Sequence, residues 1–101
     1  MLRTQKQRDE LCSACPIAKV ADIIGDPCSL LILRDLMDSP RRFGNLDESL
    51  GMSTRTITKT LRRLEQCGFI RRKALEYSLT AKGRGLKKVI GEMRSYGKKY
   101  L

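Results

Sequence analysis

From Pro16 onward, apolar residues recur at helical spacing: Ile17, Val20, Ala21 and Ile24, with Gly25 closing the run. This predicts a first helix. Asp26 then suits an N-cap, with Pro27 at the first helical position, where a missing N–H removes no helical bond. The run that follows, Leu30-Leu31-Ile32-Leu33 with Leu36 and Met37, is apolar nearly all round, as expected of a central, buried helix. Ser39-Pro40 stops it, and Phe43, Leu46 and Leu50 mark a short third helix. Gly51-Met52 reads as a tight turn leading to Ser53, a good N-cap for a fourth helix.

That fourth helix, 54–67, has two unlike faces. Ile57, Leu61 and Leu64 form a narrow apolar stripe, while Arg55, Lys59, Arg62 and Arg63 fall on the opposite side, flanked by Thr56 and Thr58. One face suits a core and the other an anion. Gly68 sits where a helix ends in a left-handed residue, and Phe69 to Lys73 followed by Glu76 to Leu79 reads as two short strands, tightly joined near Ala74-Leu75. Thr80 caps a last helix with Leu86, Val89, Ile90, Met93 and Tyr96 at helical spacing, a stripe that runs on toward Tyr100, beyond what a small core requires. The residues before Cys12 are polar and charged, and read as an arm that needs a partner chain to order it.

Helix, short turn, helix, two-stranded ribbon and helix is the layout of a winged helix-turn-helix. The expected fold is therefore mainly α with a small two-stranded β-hairpin wing. Without repeats or linkers, residues 1–101 are expected to form one such domain, its N-terminal arm (1–15) and C-terminal helix (80–100) serving dimerisation. The proposed interface residues are Leu11, Leu86, Val89, Ile90, Met93 and Tyr96.

Charge sharpens this picture. The net charge of +10 is confined to the second half: residues 1–50 hold seven basic against eight acidic side chains, residues 51–101 fourteen against three. A polyanion is the natural partner of such a half, because Lys and Arg displace counterions condensed on phosphate. Charge alone would also fit an anionic membrane or a basic surface with no partner. No stretch is apolar enough to span a bilayer, and Met1 to Lys6 lacks the apolar run of a signal peptide, so a cytoplasmic protein is expected.

The four cysteines, Cys12, Cys15, Cys28 and Cys67, do not suggest a zinc site or a disulfide framework: there is one CxxC pair, no histidine, and no export signal. No metal or cofactor is expected. With neither a Gly-rich phosphate loop nor a convincing nucleophile–base pair, an enzyme is the weakest alternative.

The fourth helix carries the functional argument. A DNA major groove about 12 Å wide accepts one helix, whose first residues face the base edges. Arg donates twice to guanine, Thr bonds an edge or touches a thymine methyl, and Lys meets a base or a phosphate. A merely solvated face predicts mixed signs, yet no acidic residue lies between Ser53 and Arg63. An architectural binder of any duplex, or a winged-helix adapter for another protein, are the rival readings. The threonines and arginines argue against the adapter.

Several landmarks in order resemble the HxlR-type winged helix regulators, relatives of the MarR group: Cys15-Pro16, the apolar helix from Leu30 to Met37, Pro40-Arg41-Arg42-Phe43, Gly51-Met52-Ser53-Thr54-Arg55, Leu61-Arg62-Arg63-Leu64-Glu65, Gly68-Phe69-Ile70 and Glu76 to Gly83. The resemblance implies a prokaryotic, non-enzymatic, homodimeric regulator that binds a pseudo-palindromic operator, with Ser53, Thr54, Arg55, Thr58, Lys59 and Arg62 on its recognition helix. It also implies that Arg42 grips the DNA backbone and that Cys15 is a candidate redox sensor, since some relatives carry a reactive thiol there. Two positions depart from the family: Asp26-Pro27 replaces a Lys-Trp pair, and the wing is a stub. In so short a wing Arg71, Arg72 and Lys73 are expected to clamp phosphates rather than read bases.

Overall fold

The computed structural model describes residues 15–101. Residues 1–14 of the arm, with Leu11 of the proposed interface and Cys12, lie outside the described residues. Helix α1 (Pro16–Ile24) follows Cys15 in extended geometry, with Pro16 in its first turn. Helix α2 (Pro27–Asp38) starts as its sequence predicts: the Asp26 carboxylate accepts from the Ser29 backbone N–H at 3.1 Å. This helix is the centre of the molecule, with Ile32 and Leu33 fully buried. Around it close Leu46 from α3 (Phe43–Leu50) and Ile57, Leu61 and Leu64 from α4 (Thr54–Gln66). Each such aliphatic side chain contributes about 1.5–3 kcal/mol through burial, which makes α2 the common support of the helices around it.

The turn between α3 and α4 is set by Gly51, at φ 63°, whose N–H donates to Asp47 O at 3.2 Å. The left-handed conformation costs glycine nothing and closes α3 within one residue. Ser53 then caps α4, its Oγ accepting from the Thr56 N–H at 3.2 Å.

Strands β2 (Ile70–Lys73) and β3 (Glu76–Leu79) form the expected hairpin with a two-residue loop, Ala74-Leu75. Ala74 takes φ 55°, a left-handed conformation that loops of this length impose and that is ordinarily given to Gly or Asn. The sheet has three strands rather than two: β1 (Arg41–Arg42) pairs antiparallel with β3, giving the order β1-β3-β2. Two residues between a proline and a helix carry no strand periodicity, so this edge pairing arises only when the wing folds back beside α3.

The last predicted helix is divided. Short α5 (Ala81–Arg84), capped by Thr80 Oγ1 accepting from Gly83 N–H at 3.2 Å, is separated by Gly85 and Leu86 from α6 (Lys87–Tyr100). Gly83 lets α5 press closely on the strand entry: a Cβ there would lie 2.0 Å from Phe69 O. The proposed interface stripe divides with it. Leu86 and Ile90 belong to the core of this chain, so their assignment to a dimer surface is corrected; Val89, Met93 and Tyr96 remain exposed. Conversely, α1 turns part of its apolar stripe outward, with Ile17 79 % and Val20 38 % exposed.

Candidate nucleic-acid interface

Helix α4 is held by its apolar stripe against α2, which turns its other side to solvent. Ser53, Thr54, Arg55, Thr56, Lys59 and Arg62 are exposed, and Thr58 is half-buried at the edge of the same face. Among the described residues, ion pairs join Arg34 to Asp35 and Arg63 to Asp26, and neither involves Arg55, Lys59 or Arg62. Ser53 and Thr56 are partly occupied locally: Ser53 Oγ donates to Thr56 Oγ1 at 2.8 Å while capping the helix.

Arg63 is a correction. It was expected among the DNA-facing cations, but its guanidinium turns inward, donating to Asp22 O at 3.0 Å, Ile23 O at 3.1 Å and Asp26 Oδ1 at 2.9 Å, and also to Ser29 Oγ. The physical reason is the corner between α1 and α2. The last carbonyls of α1 have no intrahelical donors, and a guanidinium with five donors satisfies them at one point. The wheel places Arg63, like Arg62, well away from the apolar stripe, so only tertiary packing decides that its guanidinium turns to the corner between α1 and α2.

Two cations expected to touch DNA, Arg42 and Arg72, converge beside the wing. Arg42 lies on β1 opposite Glu76, its backbone N–H donating to Asn45 Oδ1 at 3.1 Å. Together with Thr58 of α4 and Arg72 of β2 it lines a cleft of about 390 Å³ between α4 and the wing. Arg72 is steadied by a bond from Nε to Ala74 O at 3.2 Å and lies over the Tyr77 ring at 5.7 Å. Arg71 and Lys73 project from the same strand and are exposed.

Two residues were missed by sequence reasoning. Thr60 is buried on α4 and donates to Thr56 O at 2.8 Å. Lys82 donates to Cys67 O at 2.8 Å and so caps the carboxyl end of α4 from a later helix. Arg41, next to Arg42, has a buried Nε with no partner among the described residues. No local pattern marks Thr60 or Lys82, because each owes its role to neighbours remote in sequence or to burial.

Cys15 is half-buried just ahead of α1, and it, Cys28 and Cys67 are free thiols. Among the described residues no helix is long and apolar enough to cross a membrane, and no group of three acidic, Cys or His side chains is arranged to hold a metal ion.

Comparison with known proteins gives this geometry a family. Residues 23–101 match the model of the HxlR-like helix-turn-helix family. The chain belongs to that family. Among its relatives, an HTH-type transcriptional regulator of Synechocystis sp. is 41 % identical over 95 residues, covering 86 % of this chain and 70 % of the relative. The HTH-type transcriptional regulator YdeP of Bacillus subtilis is 37 % identical, with 85 % and 73 % covered. Among solved structures, quinone-bound YodB of B. subtilis superposes with TM-score 0.78 at 30 % identity, covering 85 % of this chain and 99 % of that one. The oxidised form of the redox regulator HypR gives 0.80 at 27 % identity, with 86 % and 98 % covered. As an HxlR-like protein the chain is a transcriptional regulator with a winged helix-turn-helix DNA-binding domain, and α3, the Gly51 turn and α4 are its helix-turn-helix.

Proposed function

We propose that this HxlR-like regulator binds a specific duplex sequence as a homodimer, with α4 in the major groove and the short wing on the phosphates; it is not an enzyme. The observation that carries the reading is the cationic face of Arg55, Lys59 and Arg62, without an acidic partner among the described residues and set back to back with the buried stripe of Ile57, Leu61 and Leu64. Thr54, Thr58 and the capping Ser53 complete the reading surface, and Arg42, Arg71, Arg72 and Lys73 supply backbone contacts beside it. Binding to the protein's own promoter and to random duplex, measured across a salt series, tests it. Specific readout predicts a promoter complex roughly 10³-fold tighter or more, whereas equal affinity for both would leave only an architectural binder.

The homodimer rests on a second surface. Ile17 and Val20 of α1, Met93 of α6, and Leu30 and Leu31 of α2 line an apolar groove of about 760 Å³. Val89 and Tyr96 continue the exposed apolar surface along α6. A two-fold partner covers such a surface and matches a pseudo-palindromic operator.

A redox role for Cys15 is a second reading, favoured by its partial exposure at the start of α1 beside this groove and by the redox and quinone-bound relatives. Mass spectrometry after mild peroxide tests it: an unmodified Cys15 with unchanged DNA affinity would end it.

A further inference from the structure

The recognition helix is tied to the rest of the chain at two places outside its apolar stripe, and both adjoin one cleft. At its carboxyl end, Lys82 Nζ holds Cys67 O at 2.8 Å and lies 4.6 Å from the centre of the Phe69 ring. Near that end, Arg63 holds the carbonyls of Asp22 and Ile23 on α1. The cleft between these ties has a volume of about 480 Å³ and is lined by Lys19, Val20, Ile23, Cys67, Phe69 and Lys82, with Leu86 at its base. It shares Val20 with the larger groove assigned above to the partner subunit and is otherwise lined by different residues.

The chemistry of this lining selects a ligand class. Val20, Ile23, Phe69 and Leu86 offer apolar walls, and the volume falls within the usual range for small-molecule sites. Lys19 and Lys82 face the cleft from opposite elements, α1 and α5. Of three ammonium donors on Lys82, the Cys67 carbonyl takes one and leaves others for an anion. The acidic member of the lining, Asp22, is already engaged. We infer that this cleft binds a compact amphiphilic carboxylate, its apolar body between Ile23 and Phe69 and its carboxylate on Lys82 and Lys19, and that occupancy changes the affinity of α4 for DNA. A carboxylate drawing Lys82 toward itself loosens the cap on Cys67 O, and a body wedged against Ile23 bears on the α1 segment that Arg63 grips. The second half of the inference rests on the reading of α4 as the DNA-binding helix.

The probes are 1-naphthoate and its uncharged counterpart 1-naphthalenemethanol, added to the full chain and followed by calorimetry and by amide chemical shifts. The expected result is saturable binding of naphthoate, shifts centred on Ile23, Cys67 and Phe69, and affinity lower by about tenfold or more for the uncharged probe and for Lys82→Met, as loss of a charged hydrogen bond requires. Lys19→Met gives the same direction should Lys82→Met unfold, and the comparison of probes needs no variant at all. No saturable binding, equal binding of both probes, or shifts centred on Leu31 and Met93 would each overturn the site. Saturating naphthoate is then expected to change affinity for the protein's own promoter duplex by about fivefold or more. Binding without any such change would overturn the effector role. Failure to bind any duplex would overturn the DNA reading itself, while naphthoate shifts at Cys67 would still support the site.

Discussion

The Arg63 guanidinium on α4 lies 2.9 Å from the Asp26 carboxylate that caps α2. One carboxyl group therefore does two things: Oδ2 accepts from the Ser29 N–H at the start of α2, and Oδ1 fixes the helix proposed to read DNA. With the α1 carbonyls and the fully buried Ser29 on the same guanidinium, three helices meet at one side chain.

Arg63→Ala is accordingly expected to act on stability before it acts on DNA. The ion pair itself is half-exposed and worth little, but the hydroxyl and carbonyls left without donors cost about 2–3 kcal/mol together. Urea unfolding followed by circular dichroism measures this. An unchanged midpoint accompanied by weaker DNA binding would return Arg63 to the DNA-facing side. Arg63→Lys should recover only part of the loss, since an ammonium lacks the planar fork that reaches several acceptors.

Arg55 and Arg72 are expected to differ in kind. Replacing Arg55 by Ala should weaken the promoter complex by about 1–3 kcal/mol and relax preference at one base position. Replacing Arg72 by Ala, in the cleft beside the wing, should weaken all duplexes about equally and lower the salt slope by about one. Binding assays on a panel of single-base operator variants at several salt concentrations separate the two. Equal loss on every sequence for Arg55 would make it a phosphate contact.

Met93→Asp probes the proposed partner surface without entering the core, because the side chain is 45 % exposed. Light scattering at micromolar concentration should show the dimeric mass falling to that of one chain. Affinity for a two-half-site operator should fall with it, by roughly a hundredfold or more, as avidity is lost. A monomeric mass for the unsubstituted protein would remove the basis for this prediction.

Gly83→Ala tests the close approach of α5 to the strand entry. Its methyl group would meet the Phe69 carbonyl, a backbone atom held by the Thr80 N–H at 3.1 Å and unable to step aside. A loss of about 1–3 kcal/mol in urea unfolding is expected, typical of overpacking. An unchanged midpoint would mean that α5 shifts freely.

Local patterns sufficed for most of the helix-turn-helix. The Asp26 and Ser53 caps, the Gly51 turn and the stripe of Ile57, Leu61 and Leu64 are each written within a few consecutive residues, and each appears where those residues place it. The same holds for the exposure of Arg55, Lys59 and Arg62, which follows from their being opposite that stripe.

What the sequence determined on its own was thus the order of the first four helices and the β2–β3 hairpin, the core face of α4 and the concentration of positive charge in the second half. Only the tertiary structure decided which members of an apolar or basic run face inward: Ile90 in the core but Met93 outside, Arg62 in solvent but Arg63 locked to Asp26, and Arg41 and Arg42 joined to β3 as a third strand. The reason is that spacing along a chain specifies a side chain's direction about its own helix or strand, whereas its partners are supplied by elements distant in sequence.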